Sequence, residues 1–268
     1  MIDALTLDMI GLVVSFTFLI YSSWSDIVSR EVSDRVWMIF FPVGLTLTTI
    51  RLVAQSGSWL PILLSVAVTV AISLALPFLG LWGGADGKGF ICLALMNPVI
   101  PALGGSLFHI VDPLFPLVVF CNAYIASLFA VLYPIQRNLR ARRRKRLFKG
   151  LEHESFLHKA AALLTGYQVQ IDDLESKPYL FPLESIHLQE STVRRRFEFN
   201  LRIDSDRSKE LAEIKRAADS GLLEGGIWVS PGLPFLVFVT LGLAISVLFG
   251  DVVWYSVSAL MHAIVVLF

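Results

Sequence analysis

Charged residues are scarce in this 268-residue chain, making up only 16% of it, whereas 55% of the residues are hydrophobic. Soluble domains usually have about 25% charged and about 45–50% apolar residues. The apolar residues are also clustered in several nearly uncharged runs of roughly 20 residues, enough to cross about 30 Å of hydrocarbon. The composition therefore excludes an ordinary soluble domain and predicts a polytopic membrane protein.

Cysteine and histidine are also rare, which limits the kinds of site that the chain can hold. The two cysteines, Cys92 and Cys121, lie in apolar segments, so we interpret them as small buried side chains and not as a disulfide or a metal site. The histidines lack the spacing of metal ligands, and two carboxylates alone are few ligands for a cation. We therefore predict no metal site and no cofactor.

Six apolar stretches are predicted to form membrane helices. No basic region precedes the first of them and no small-residue cleavage site is evident, so we expect a membrane helix and not a removed signal peptide. The tail, residues 251–268, is also apolar, and the sequence leaves open whether it spans the membrane or lies on its surface. The six stretches are residues 4–24, 36–54, 59–80, 86–97, 113–135 and 232–250.

The fourth stretch is unusually short. From Asp86 to Asn97 it has 12 residues, which is about 18 Å of helix at about 1.5 Å per residue. Pro98 and Pro101 then disfavour helical geometry, so the helix either kinks and continues towards Phe108 or ends, leaving Asp86 beneath the membrane surface. We favour the short helix, because irregular backbone at membrane depth is tolerated where it lines a cavity, as an active site does.

A polar region separates the fifth stretch from the sixth. It begins with eight basic residues and no acidic residue between Arg137 and Lys149, which is typical of a cytoplasmic loop. We expect the residues between Arg140 and Lys149 to contact anionic lipid headgroups, and we expect no nucleic-acid binding. The segment that follows predicts a small α+β cytoplasmic domain. Its predicted elements are a helix at 152–165, strands at 167–171 and 197–203, and a helix from Ser205 or Asp206 to Asp219, ended by Gly221.

Two carboxylates interrupt the apolar pattern at the ends of membrane segments. Asp26 follows the first stretch in a short polar loop, and Asp86 lies in a glycine-rich break before the fourth. Because the basic run after the fifth stretch is cytoplasmic, counting back along the chain brings the loops of both aspartates to the cytoplasmic face. We therefore predict that carboxylates from two distant segments meet there.

A pair of carboxylates on one face supports general acid–base catalysis. If the two lie within a few ångströms of each other, both cannot be ionised at low cost, and one keeps its proton. The ionised carboxylate then activates a water molecule, while the protonated one polarises the scissile carbonyl and protonates the leaving amine. The same residues also allow structural roles, in which Asp86 pairs with Lys88 and Asp26 forms a surface pair with Arg30.

Three stretches of the sequence carry a resemblance to a known family. They are residues 25–35, with Ser25-Asp26 and Val32-Ser33-Asp34-Arg35; residues 83–88, with Gly-Gly-Ala-Asp-Gly-Lys; and residues 226–235, before the last predicted span. Over nearly its whole length the chain resembles the archaeal prepilin and preflagellin (prearchaellin) peptidases. These are membrane aspartyl proteases of the Gly-x-Gly-Asp group, to which presenilin is more distantly related. The chain departs from that motif at Ala85, where the second glycine would stand.

The resemblance implies that Asp26 and Asp86 are the catalytic aspartates. It also implies cleavage of the N-terminal leader of pilin-like precursors on the cytoplasmic side, after a short basic segment and before a hydrophobic helix. For Lys88 we favour the alternative of a lysine that extends its ammonium group to the membrane surface. Four further residues are motif or substrate-binding candidates: Gly83, Gly84, Lys88 and Asp34.

The predicted fold class is an all-α polytopic membrane protein of about six transmembrane helices, with a small α+β cytoplasmic domain between helices five and six. We divide it into residues 1–136 with both aspartates, residues 137–230 with the basic segment and the polar domain, and residues 231–268. The predicted activity is aspartic endopeptidase cleavage of prepilin or prearchaellin precursors in the cell membrane, with these precursors and the lipid bilayer as partners. The alternatives are an intramembrane protease with other membrane substrates, an ion-coupled transporter and a non-catalytic anchor or assembly protein.

Overall fold

The chain forms two compact units, of which unit 1 comprises Met1–Leu128 and Pro234–Phe268 and unit 2 comprises Phe129–Leu233. The computed structural model describes residues 3–54, 59–79, 82–102, 106–108, 113–143, 147–189, 192–199, 207–221, 223 and 225–267. The helices are α1 (Ala4–Ser29), α2 (Asp34–Ala54), α3 (Trp59–Phe78), α4 (Gly84–Met96), α5 (Phe115–Leu128), α6 (Leu132–Arg142), α7 (Phe156–Thr165), α8 (Ile171–Ser176), α9 (Arg207–Asp219), α10 (Phe235–Leu248) and α11 (Val252–Leu267), and a 3-10 turn (Phe129–Val131) joins α5 to α6.

Among the described residues, α1, α2, α3 and the continuous segment Phe115–Arg142 are long and apolar enough to cross a membrane. A fifth candidate is the pair Phe235–Leu248 and Val252–Val265, which is bent by 60° at a short break. The protein is thus mostly helical with four or five candidate spans. The predicted count of six is not confirmed, because α4 has only 13 residues and α10, in the predicted sixth span, has 14 residues and is long enough only together with α11.

The fourth helix takes the short form that the sequence favoured, and it does not continue to Phe108. It ends at Met96, and Asn97 leaves helical geometry with φ −135° and ψ 69°, because the residue before a proline disfavours the α region. α4 contacts α1, α2, α3 and α10, and Phe90 and Leu93 on it are completely buried. This short helix therefore forms the centre of unit 1.

The long helices of unit 1 are apolar on their outer faces and polar on part of their contact faces. Met38 and Phe78 are 74% and 87% exposed, whereas Ser15 and Thr69 are completely buried. Membrane helices pack through small and hydroxyl-bearing residues because lipid supplies no hydrophobic force between them. The distribution of exposed and buried residues in unit 1 therefore suits helices surrounded by lipid.

A buried polar network fixes the end of α4 that lies away from Asp86. The Arg51 guanidinium forms an ion pair with Asp8 and donates to the Met96 carbonyl oxygen at 3.3 Å. The second oxygen of Asp8 accepts from the Ala102 N–H at 2.7 Å. The carbonyl at the end of α4 and the first residues after it are thereby bonded to side chains of α1 and α2.

The described residues of unit 2 form two small antiparallel sheets. The sequence predicted only some of their strands. The strands are β1 (Tyr167–Val169), β2 (Leu180–Pro182), β3 (Glu184–Gln189), β4 (Thr192–Phe197) and β5 (Ile227–Pro231), arranged in the order β1-β5-β2 and as a β3-β4 hairpin. An ion pair between Arg195 and Glu184 (2.8 Å) is buried here, and Glu184 also accepts from the Trp228 N–H at 2.8 Å. This carboxylate therefore joins the hairpin to β5.

Several predicted boundaries in unit 2 are wrong. The strand predicted at 197–203 ends at Phe197, and residues 200–203 lie outside the described residues, as do Ser205 and Asp206. The helix predicted to start at residue 152 begins at Phe156, where the Ser155 side chain accepts from the N–H of His158. In contrast, α9 ends at Asp219 as predicted, and Gly221 follows with a positive φ of 69°.

Candidate active site

Asp26 lies in the last turns of α1, and not in the loop that the sequence predicts. Serine hydroxyls link the last turn of the helix to the residues that follow it: Ser29 donates to the Ser25 carbonyl at 2.8 Å, and Ser25 donates to the carbonyl of Glu31, beyond the helix, at 2.7 Å. Arg30 then ends the helix with φ 58°, and its N–H donates to the Asp26 carbonyl. The helical backbone therefore fixes the direction of the Asp26 side chain.

The half-buried Asp26 carboxyl faces the beginning of α10, where it is hydrogen-bonded by the backbone of Leu236. About one turn earlier on α1, the hydroxyls of Ser23 and Thr240 lie 2.8 Å apart and join the same two helices. The charge of Arg30 also acts on Asp26, as the structural alternative predicted. Asp26 is thus attached to α10 as well as to its own helix.

Asp86 lies in the first turn of α4 and is also half-buried. Its carboxylate accepts from the Gly83 N–H at 3.0 Å, which satisfies one of the free donors at the start of the helix. Ala85 is the second residue of α4 and has a helical backbone, which alanine adopts readily. The departure from the Gly-x-Gly-Asp motif at this position therefore causes no conformational strain.

The two aspartates converge because α4 and α10 pack closely just beyond Asp86. A Cβ atom on Gly89 would lie 2.8 Å from the Cδ2 atom of Leu236, the residue whose backbone bonds Asp26. Leu236 therefore lies between the two helices that carry the aspartates. The charge of Asp26 acts on Asp86, so the carboxyl groups from α1 and α4 interact at the N-terminal end of α10.

Aromatic side chains surround the start of α4. The indole N–H of Trp82 donates to the Tyr124 hydroxyl at 2.8 Å, and the charge of Asp86 acts on that tyrosine. The Trp82 ring lies 5.5 Å from Phe90 and 5.3 Å from Phe235, between ring centroids. These rings form an apolar cluster beside the first turn of α4, which carries Asp86.

Lys88 and Asp34, the predicted substrate-contact candidates, lie together at the surface of unit 1. The Lys88 ammonium forms an ion pair with Asp34 at 2.6 Å, with side chains 50% and 77% exposed. The alternative in which Lys88 pairs with Asp86 is therefore not the arrangement in the structure. An exposed pair of this kind contributes little to stability, typically about 0–1 kcal/mol, so both charged groups remain available to a ligand.

The glycines of the motif differ in what surrounds them. A Cβ on Gly84 would meet nothing within 4 Å, whereas one on Gly83 would lie 3.1 Å from the Asp86 carboxylate. No role was predicted for Gly87, where a Cβ would lie only 2.6 Å from the Ser73 carbonyl oxygen of α3. Its signal was present in the sequence, since small residues mark close approaches between membrane helices.

Other residues of the site had no signal that the sequence analysis used. Leu236 acts through a backbone group, which every residue except proline carries. Tyr124 and Trp82 looked like ordinary residues of apolar segments. In the part of the chain that the structure describes, no group of three or more His, Cys, Asp or Glu residues lies together as metal ligands.

Comparisons with known proteins cover both the helical and the polar parts of the chain. The model of the type IV leader peptidase family matches residues 13–135, which include both aspartates. A second model, described as archaeal peptidase A24 C-terminus type II, matches residues 158–252. The preflagellin peptidase of Methanococcus voltae is 25% identical over 256 residues, covering 91% of this chain and 96% of that protein. With these matches, the chain belongs to the archaeal prepilin and preflagellin peptidase family.

Proposed function

We propose that this chain is a membrane aspartic endopeptidase that removes the N-terminal leader from type IV pilin-like precursors, such as preflagellins, at the cytoplasmic face. The observation that carries the proposal is the convergence of Asp26 and Asp86 at the start of α10, from helices far apart in the sequence. The similarity to the type IV leader peptidase family and to a preflagellin peptidase supports the reaction and the class of substrate.

In the proposed mechanism the two carboxyl groups share one proton, because interacting carboxylates are not both ionised at low cost. The ionised group accepts a proton from a water molecule, which attacks the scissile carbonyl. The protonated group donates a hydrogen bond to the carbonyl oxygen and later protonates the leaving amine. The backbone contacts of Leu236 with Asp26 and of Gly83 with Asp86 hold the two groups in place during these transfers.

The basic residues at the end of the candidate span Phe115–Arg142 support a cytoplasmic position of the site. Basic residues next to a span favour the cytoplasmic side. In this proposal the short helix α4 also carries the chain across the membrane, and the alternation of the preceding segments then gives the loop after α1 the same side. The exposed Asp34 carboxylate near this end of unit 1 is suited to contact a basic leader segment.

The proposal is tested by Asp26→Asn and Asp86→Asn, each co-expressed with a preflagellin. Asparagine keeps the size of aspartate but cannot exchange the proton, so we expect each variant to reach the membrane at the normal level and to lose cleavage by at least about 10²-fold. Asp172→Asn is the matched control, because Asp172 is an exposed aspartate on α8, and it should cleave normally.

The mass of the product N-terminus separates the proposal from its alternatives. Leader removal gives a product that begins at the junction of leader and hydrophobic helix, whereas an intramembrane protease cuts within that helix. If the protein is a transporter or an anchor protein, even the wild-type chain gives no cleavage product. Normal cleavage by either asparagine variant would exclude the two-aspartate mechanism.

A further inference from the structure

An apolar pocket of about 670 Å³ opens in unit 2 between α6, α7 and the turn that contains Leu147 and Phe148. Its walls include Ile135 and Leu139 from α6 and Leu163 from α7. The volume lies within the range of about 300–1,000 Å³ that is common for ligand sites. The pocket is therefore large enough to receive part of a ligand molecule.

Hydrogen bonds fix the elements that form the walls of the pocket relative to each other. The buried Asn138 side chain of α6 donates to the carbonyl oxygens of Leu163 (3.1 Å) and Gly166 (2.8 Å). On the opposite wall, the Phe148 ring stacks on Trp228 with centroids 5.2 Å apart. Asn138 uses its amide hydrogens in these bonds, so they are not available to a ligand.

The rim of the pocket is basic. Arg142 contributes to the lining, and Arg140 and Arg143 flank it in the sequence. Among the described residues, no acidic side chain forms an ion pair with any of these three arginines. Because the candidate span Phe115–Arg142 ends here, these guanidinium groups lie where a membrane segment ends, at the depth of lipid headgroups.

We propose that this pocket binds one hydrocarbon chain of an anionic membrane lipid, with the headgroup beside Arg142. The apolar walls suit the chain, and the arginines without acidic partners complement the negative charge of the headgroup. Leu139, on the pocket wall, is 58% exposed, so a lipid chain that covers it removes apolar surface from water. The binding is thus expected to depend on both the charge at the rim and the apolar wall.

The test titrates the full chain in detergent with phosphatidylglycerol or phosphatidylcholine and measures retained lipid by native mass spectrometry. We expect phosphatidylglycerol to bind more tightly. Arg142→Gln should weaken its binding about fivefold, which corresponds to about 1 kcal/mol for one basic residue at a lipid surface. Arg140→Gln is the matched control, because Arg140 belongs to the same basic run but does not line the pocket, and it should weaken the binding less than Arg142→Gln does.

A second pair of variants tests the apolar wall. Leu139→Ser should reduce the amount of retained lipid, whereas Leu157→Ser should not, since Leu157 is equally apolar and 76% exposed but lies outside the pocket. Both positions are exposed, so both variants should fold, and unchanged thermal unfolding verifies this.

Four outcomes would overturn the proposal. Equal losses for Arg142→Gln and Arg140→Gln would mean general attraction between the basic run and lipid, without a site. Equal retention of the two lipids would mean that the rim does not select an anionic headgroup. Unchanged retention in Leu139→Ser would exclude the pocket, and a chain that elutes as a dimer only when Leu139 is present would identify a second copy as the occupant.

Discussion

Gly87 allows a direct test of how the candidate active site is held in place. A Cβ atom at this position would lie 2.6 Å from the Ser73 carbonyl oxygen. Because this oxygen belongs to the backbone of α3, the two helices must separate by about 1 Å to reach an ordinary contact of about 3.5 Å. Asp86 immediately precedes Gly87, so we expect Gly87→Ala to displace the Asp86 carboxylate as well as to strain the packing.

The expected loss of stability in Gly87→Ala is measured against Gly84→Ala in the same helix. A Cβ atom on Gly84 would meet nothing within 4 Å. Alanine favours a helix interior over glycine by up to about 1 kcal/mol, and Gly87 gains at least as much of this as Gly84, which is the first residue of the helix. A lower stability of Gly87→Ala therefore reports the contact of α4 with α3, and overpacking of this kind costs about 1–3 kcal/mol. A displacement of about 1 Å in an active site can lower the rate about 10²-fold.

The assay measures thermal unfolding of both variants in detergent and their rates of preflagellin cleavage. We expect Gly87→Ala to unfold at a lower temperature than Gly84→Ala and to cleave more slowly. Equal unfolding temperatures and equal rates would refute the close approach of α3 and α4 as a determinant of the site. A slow but stable Gly84→Ala would instead identify Gly84 as a substrate contact.

Two further predictions concern charged pairs of unit 1. Arg51→Met leaves Asp8 buried without its partner and should destabilise the protein by about 3–5 kcal/mol; the double variant with Asp8→Asn should recover part of this in thermal unfolding, and no recovery would mean that the two residues are not coupled. Asp34→Asn removes an exposed charge, so we expect normal unfolding but a higher KM for a precursor with a basic leader, with kcat unchanged; a KM equal to that of Asp172→Asn would exclude contact with the leader.

Residues of the candidate site were predictable where a charged side chain or a proline interrupts an apolar segment of the sequence. Asp26 and Asp86 stand out because carboxylates are costly at membrane depth, and the end of α4 follows from Pro98. The extension of α1 through Asp26 was missed because Ser25 and Ser29 are typical of loops. In the structure their hydroxyls bond to backbone carbonyls, and this polar, irregular-looking sequence forms the end of a helix.

Residues that act through contacts with distant segments were not predictable from one sequence. Asp8 and Arg51 lie near the ends of the first two apolar stretches, where charged residues normally face the membrane surface. Their pairing depends on how α1 and α2 pack, which composition and periodicity do not specify. The same holds for Leu236, because every residue except proline carries a backbone donor, so the residue type does not reveal this contact. The predicted count of six spans is not confirmed for a related reason, since α4 is short and most of its apolar residues are buried in protein.

The position of Asp86 is determined by contacts along the whole of α4. At its C-terminal end, Met96 is bonded to the buried Arg51, and in its first half a Cβ on Gly87 or Gly89 would contact α3 or Leu236 of α10. A helix of 13 residues held at these points extends about 20 Å, so its length sets how far Asp86 lies from the fixed end. Asp26 is attached to the same residue of α10. The separation of the two carboxyl groups is therefore set by helix packing around Leu236, and substitutions far from either aspartate should affect catalysis when they shift α4 along its axis.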